Sequence, residues 1–143
     1  MEEILFFKEG KVEYPSFFSE TKVCEWLRII ASHYKKTLGA INFIFCDDDY
    51  ILSVNQQYLN HDYYTDVITF DYCEEDILSG DVFISLDTVL SNSEEYSVTF
   101  VDEFHRVICH SVLHLIGFKD KTDEESVKMR ENENICLDLL KRL

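Results

Sequence analysis

Two spacings of apolar residues, one of period two and one near 3.6, divide this chain into short segments. Ile4-Leu5-Phe6-Phe7 is a compact apolar run closing at Gly10 and predicts a first strand. Tyr14-Pro15 breaks the pattern. From about Ser19, the residues Val23, Trp26, Leu27, Ile30 and Tyr34 recur at helical spacing, Lys35 and Lys36 suit the negative end of the helix dipole, and Gly39 ends this first helix. Ile41–Cys46 is rich in β-formers and predicts a second strand. Asp47-Asp48-Asp49 caps a second helix carrying Ile51, Leu52, Val54, Tyr58 and Leu59. The polar stretch Asn60-His61-Asp62 leads to a third strand, Thr65–Phe70. Alternation puts Val67, Thr69 and Asp71 on one face of it and Asp66, Ile68 and Phe70 on the other. Glu74–Gly80 reads as an acidic, solvated loop, and Asp81–Ser85 as a fourth strand paired with the third in a hairpin. A short helix follows near Asp87–Ser93, then a long one from about Thr99 to Ile116. The last begins at the capping box Thr122-Asp123-Glu124-Glu125 and runs on through Val127, Met129, Ile135, Leu139 and Leu140.

This order predicts an α+β fold, a four-stranded mixed sheet with helices packed against it. With 143 residues, 46% of them hydrophobic and one a proline, the chain has material for one core, so 1–143 is expected to be a single domain and not a disordered segment. No apolar run reaches membrane-spanning length, and Met1-Glu2-Glu3 lacks the basic start of a signal peptide, so the expected location is cytoplasmic, without a membrane partner. The cysteines number five and no pair is spaced CxxC. They are expected to be reduced thiols and not a disulfide frame or a cysteine metal site. A net charge of −15 repels phosphate at long range, and no dense Lys/Arg cluster offsets it, so composition alone does not point to nucleic acid.

The long helix changes that picture. Phe100, Val101, Phe104, Val107, Ile108, Val112, Leu113, Leu115 and Ile116 make it apolar on most sides, which predicts burial. Its polar exceptions Glu103, Arg106, His110 and His114 fall on one stripe, since residues three or four apart share a helix face. Buried imidazoles need partners, and two at i and i+4 supply converging nitrogens for a divalent metal ion. Gly117 suits the helix stop, after which the chain can return with Asp120 beside the histidines. A capping role for Asp120 is already filled by Thr122. The expected metal ligands are therefore His110, His114 and Asp120, on the buried helix and the loop after it, with a fourth position open as in catalytic zinc sites. The residue after His110 is Ser111, so the glutamate base of HExxH metalloproteases is missing and peptide hydrolysis by that route is disfavoured.

The stretch His110-Ser111-Val112-Leu113-His114-Leu115-Ile116-Gly117-Phe118 resembles the helix-to-loop signature HGxLHLxGYDH of the YbeY-type endoribonucleases, also called rRNA maturation factors. Thr65–Phe70 is similar to that family's TDVLSF, and Gly80–Ser85 to its GDIxIS. The resemblance implies an α+β metal-dependent hydrolase, with one zinc-like ion activating water for attack on RNA phosphodiester bonds. It implies roles in small-subunit rRNA 3′-end processing and ribosome quality control. The implied partners are rRNA and ribosomal components, not DNA. This chain departs from the pattern in carrying Asp120 where the family usually has a third histidine, Ser111 for a glycine, and Leu59 where an arginine commonly precedes TDV. Asp66 is a candidate general base, or a strand-start acid. Arg106 and His61 are candidates for binding substrate; alternatively Arg106 pairs with Glu103 and His61 is an ordinary loop histidine. Two further readings stay open, an assembly factor with a structural metal and a hydrolase of a non-RNA substrate.

Overall fold

The predicted element order is the observed one. In a computed structural model, which describes residues 2–143, the elements are β1 (Glu3–Glu9), α1 (Glu20–His33), β2 (Thr37–Cys46), α2 (Asp48–Leu59), β3 (Val67–Asp71), β4 (Ile77–Ser85), α3 (Leu86–Glu95), α4 (Phe100–Ile116) and α5 (Asp123–Lys141). The sheet order is β1-β2-β4-β3. β1, β2 and β4 run parallel, while β3 pairs antiparallel with β4, so the sheet is mixed and the expected hairpin is present.

Side chains from β1, β2 and β4 build the main core with α1, α3, α4 and α5. Phe43, Phe45, Val82 and Ile84 meet Trp26, Leu27, Ile30, Phe104, Ile108 and Val112, all almost fully buried. The opposite face holds a smaller cluster of Cys46, Ile51, Val54 and Ile68 under α2. Caps close the helices as their sequences suggest. Asp47 accepts from Tyr50 N–H, Thr99 from Asp102 N–H, and Thr122 and Glu125 form the complete capping box. The buried Trp26 indole donates to the Cys136 carbonyl at 2.7 Å, tying α1 to α5. All five cysteines are free thiols. Among the described residues no helix is long and apolar enough to cross a membrane.

Three boundaries differ from the sequence reading. Gly39 does not end α1. The helix stops at the Tyr34 cap, Lys35 takes the left-handed turn at φ 59°, and Gly39 lies inside β2. There the β2–β4 register shifts between Leu38 and Ile41, and any side chain at 39 would run into Ser79 and Ile77. A glycine demanded by a bulge reads the same as a helix stop. Second, the loop predicted to extend to Gly80 is shorter, because Ile77–Gly80 already pair as the start of β4. Third, Asp66 sits in a bend before β3 and escapes the alternation that placed it with Ile68.

Candidate metal centre

α4 enters the core along its apolar side and leaves one polar stripe facing β3 and α5. Its last turn closes at Gly117, whose φ of 125° an L side chain rarely adopts. Gly117 N–H and Phe118 N–H both bond to the Leu113 carbonyl, satisfying the helix end. This turn points the Phe118 carbonyl back at the helix, where it accepts from His114 Nδ1 at 3.0 Å. Two residues later the Asp120 carboxylate reaches both imidazoles. Its Oδ2 lies 3.2 Å from His110 Nε2 and 3.4 Å from His114 Nε2. The two Nε2 atoms are 3.0 Å apart.

The tautomers follow from the outer partners. A carbonyl can only accept, so His114 carries its proton on Nδ1. His110 Nδ1 lies 2.6 Å from Glu133 Oε2 on α5, and the carboxylate is the acceptor. Both Nε2 atoms of the neutral rings are then bare lone pairs, aimed at each other and at a carboxylate oxygen. Three acceptors facing one point repel unless a cation lies between them. Zinc–nitrogen bonds of about 2.0–2.1 Å give a tetrahedral edge of about 3.3 Å, close to the separations found here. The donor set of two imidazoles and one carboxylate thus fits a divalent ion, and it is the one cluster of such groups among the described residues.

Glu133 is the centre of the supporting network. It is 5% exposed, bonds His110 through Oε2 and holds the Arg106 guanidinium through Oε1 at 2.9 Å. Burial alone would raise its carboxyl pKa, but the bonds from His110 and Arg106 outweigh it and hold the group below the usual range. For His110, burial favours the neutral ring, while the bond and charge of Glu133, with Asp120 and Asp66, more than offset this and raise its pKa. Asp66 is raised chiefly by burial, against the opposing pull of His110.

The three candidate ligands line an open cleft of about 480 Å³ together with Thr65, Asp66 and Thr69. Asp66 therefore shares the cleft, as a proton acceptor there must. Arg106 does not pair with Glu103 as its i+3 spacing suggested; the docking of α5 brings Glu133 and Asn134 within reach, and they take its guanidinium. His61 is exposed, bonded to the Tyr63 hydroxyl at 2.9 Å, and does not line the cleft. Leu59 closes α2, 40% exposed, and does not line it either. The sequence reading missed Glu133 altogether. Its signal was present, since Glu133 falls four residues after Met129 and three before Cys136 on the buried stripe of α5, and a carboxylate there demands a partner.

The family described as endoribonuclease YbeY matches residues 6–141. A protein named endoribonuclease YbeY from Bacteroides thetaiotaomicron is 56% identical over 113 residues, covering 79% of this chain and 82% of that one. One of the same name from Porphyromonas gingivalis is 47% identical over 141 residues, covering 99% and 92%. A solution structure of a Thermotoga maritima protein superposes with a TM-score of 0.69 at 28% identity, covering 96% of this chain and 89% of that one.

Proposed function

This chain belongs to the endoribonuclease YbeY family, and on that premise we propose that it is a metal-dependent hydrolase cutting single-stranded RNA, with His110, His114 and Asp120 holding one zinc ion. The observation that carries this reading is the convergence of three lone pairs, from two imidazoles and one carboxylate, at the wall of an open cleft. When bound, a divalent ion in such a set polarises a phosphoryl oxygen and lowers the pKa of water at its open position toward neutrality. The chain's own residues do the rest. Glu133 and the Phe118 carbonyl accept the two Nδ1 protons, which fixes both rings and leaves both Nε2 atoms free to ligate. Asp66, its carboxyl raised by burial, takes the proton that leaves the attacking water. Asp120 is the only formally charged ligand, so the loaded centre stays net positive and draws phosphate despite a net charge of −15. The family resemblance extends the proposal to small-subunit rRNA 3′-end processing and ribosome quality control in the cytoplasm, with rRNA and ribosomal components as partners.

Metal analysis of the wild type beside Asp120→Ala, each assayed on a single-stranded RNA before and after chelation, tests this. The wild type is expected to carry zinc and to cut. Asp120→Ala and His114→Ala should retain the fold by circular dichroism, lose metal and stop cutting. Metal that persists undiminished in Asp120→Ala sinks the ligand set. RNA left whole by the zinc-loaded wild type sinks the nuclease.

A further inference from the structure

A second cavity, of about 170 Å³, adjoins the cleft along Asp66 and His110. Its distinctive side chain is Glu103, in the first turn of α4 and 7% exposed. Among the described residues nothing donates a hydrogen bond to its carboxylate, and neither Arg106 nor Arg130 reaches ion-pair distance from it. Among the described residues no fully enclosed side-chain oxygen lacks a partner, so the Glu103 oxygens keep some exposure; the residue lines this cavity and, on its other side, a neighbouring one of about 310 Å³ with Asp102, Leu137 and Leu140. An acid in the first turn suits the helix dipole, but its exposed neighbour Asp102 already supplies that. Dipole stabilisation does not require burial, and burying a carboxylate without a donor is costly. Burial, with Asp66 adding to it, also pushes the Glu103 carboxyl up, so incoming N–H donors would stabilise its charged form.

The lining decides what fits. A phosphate meets three carboxylates, from Asp66, Glu103 and Glu133, while Arg106 is already held by Glu133 and Asn134. A metal ion meets two guanidinium groups, and among the described residues Glu103 belongs to no cluster of candidate ligands. A neutral, planar group with paired N–H donors on one edge and acceptors on another suits both kinds of wall. Among the bases of RNA that is guanine. Its N1–H and N2–H edge offers a carboxylate two parallel hydrogen bonds, and its O6 and N7 accept from an arginine. Arg130 is free for this, exposed and in only a long 3.9 Å contact with Glu133. The exposed ring of Tyr96, on the same rim, offers a face for stacking. Single-stranded RNA is read in this manner, with a splayed base stacked and bonded on its Watson–Crick edge.

Resting on the endoribonuclease reading of the adjoining cleft, we propose that the Glu103 cavity is a guanine subsite that sets where an RNA strand is cut. The test uses the metal-loaded protein and uridine oligonucleotides carrying a single guanosine at successive positions. Cuts are expected at a constant offset from the guanosine. Replacing guanosine by inosine, which lacks the 2-amino group, should lower kcat/KM about tenfold. Glu103→Gln should cut guanosine and inosine strands alike, at the rate the wild type shows on plain oligouridine. Equal cutting of guanosine, inosine and plain strands by the wild type overturns the subsite and leaves the nuclease standing. A guanosine preference that persists in Glu103→Gln overturns the assignment to this cavity. No cutting of any strand removes the nuclease reading and the subsite with it. Should Glu103→Gln fail to fold, the inosine comparison in the wild type decides alone.

Discussion

His110 and His114 stand one turn apart on the same stripe of α4, yet they are held in unlike ways. His114 is oriented by the Phe118 carbonyl, four residues along the chain, in a turn set by Gly117. His110 is oriented by Glu133, 23 residues away on another helix, through a carboxylate that also carries Arg106. One support is local backbone and the other is tertiary charge. A local support forms whenever the helix end forms. A tertiary one exists only when α5 is docked in register, so the two halves of the centre should respond differently to perturbation.

The largest effect is expected from Glu133→Ala, which leaves a mostly buried guanidinium with only Asn134 and the His110 Nδ1–H with no acceptor. Breaking a buried pair from one side costs about 3–5 kcal/mol, to be read by denaturant unfolding of the metal-free protein. Glu133→Gln keeps the shape and an acceptor oxygen, and should weaken metal binding about 10–100-fold in a chelator competition. If metal affinity is untouched by both variants, the tertiary support of His110 is not a real one. Gly117→Ala attacks the local support, forcing a side chain onto a φ of 125° at a cost of about 1–3 kcal/mol, visible as a lower Tm. Among the described residues nothing lies within 4 Å of its would-be Cβ, so a loss there reports backbone strain and not a clash.

The smallest effect concerns His105, which lies off the stripe and packs against Phe17, Trp26 and Phe104 while Nδ1–H donates to the Val101 carbonyl. Burial depresses its pKa below the ordinary 6.5, against the bond to Val101. The unfolded chain therefore binds this proton at a higher pH than the folded one. Stability should fall as pH drops below about 6.5 and through the folded-state value. The fall should be shallower in His105→Gln, measured by denaturant unfolding between neutral and mildly acidic pH. An identical slope in both proteins would remove His105 from the account.

The same contrast between local and tertiary explains what the sequence revealed. His110, His114, Gly117, Asp120 and the Thr122 cap lie within a short stretch, where helical geometry alone decides who faces whom. The element order was legible for the same reason, since each period is a local property. Gly39 and Ile77–Gly80 were misread because a bulge between neighbouring parallel strands is a pairing event, invisible from either strand alone. For Arg106, a candidate for binding substrate, the ion-pair partner that spacing suggests is Glu103 on its own helix. Its true partners, Glu133 and Asn134, depend on how α4 and α5 dock. The cavity at Glu103 is hidden for the same reason, being a space between helices rather than a motif.

The indole bond from Trp26 to the Cys136 carbonyl has a consequence for the order of synthesis. It fixes the axial position of α5 three residues beyond Glu133, where a slip of one turn would carry the carboxylate about 5.4 Å from His110. A nascent chain ending at residue 122 already holds both histidines and Asp120, but nothing yet sets the ring of His110. The centre matures only when the final helix is made and seated. A growing polypeptide, still attached to a ribosome, therefore carries these three side chains before the support that orients His110 exists.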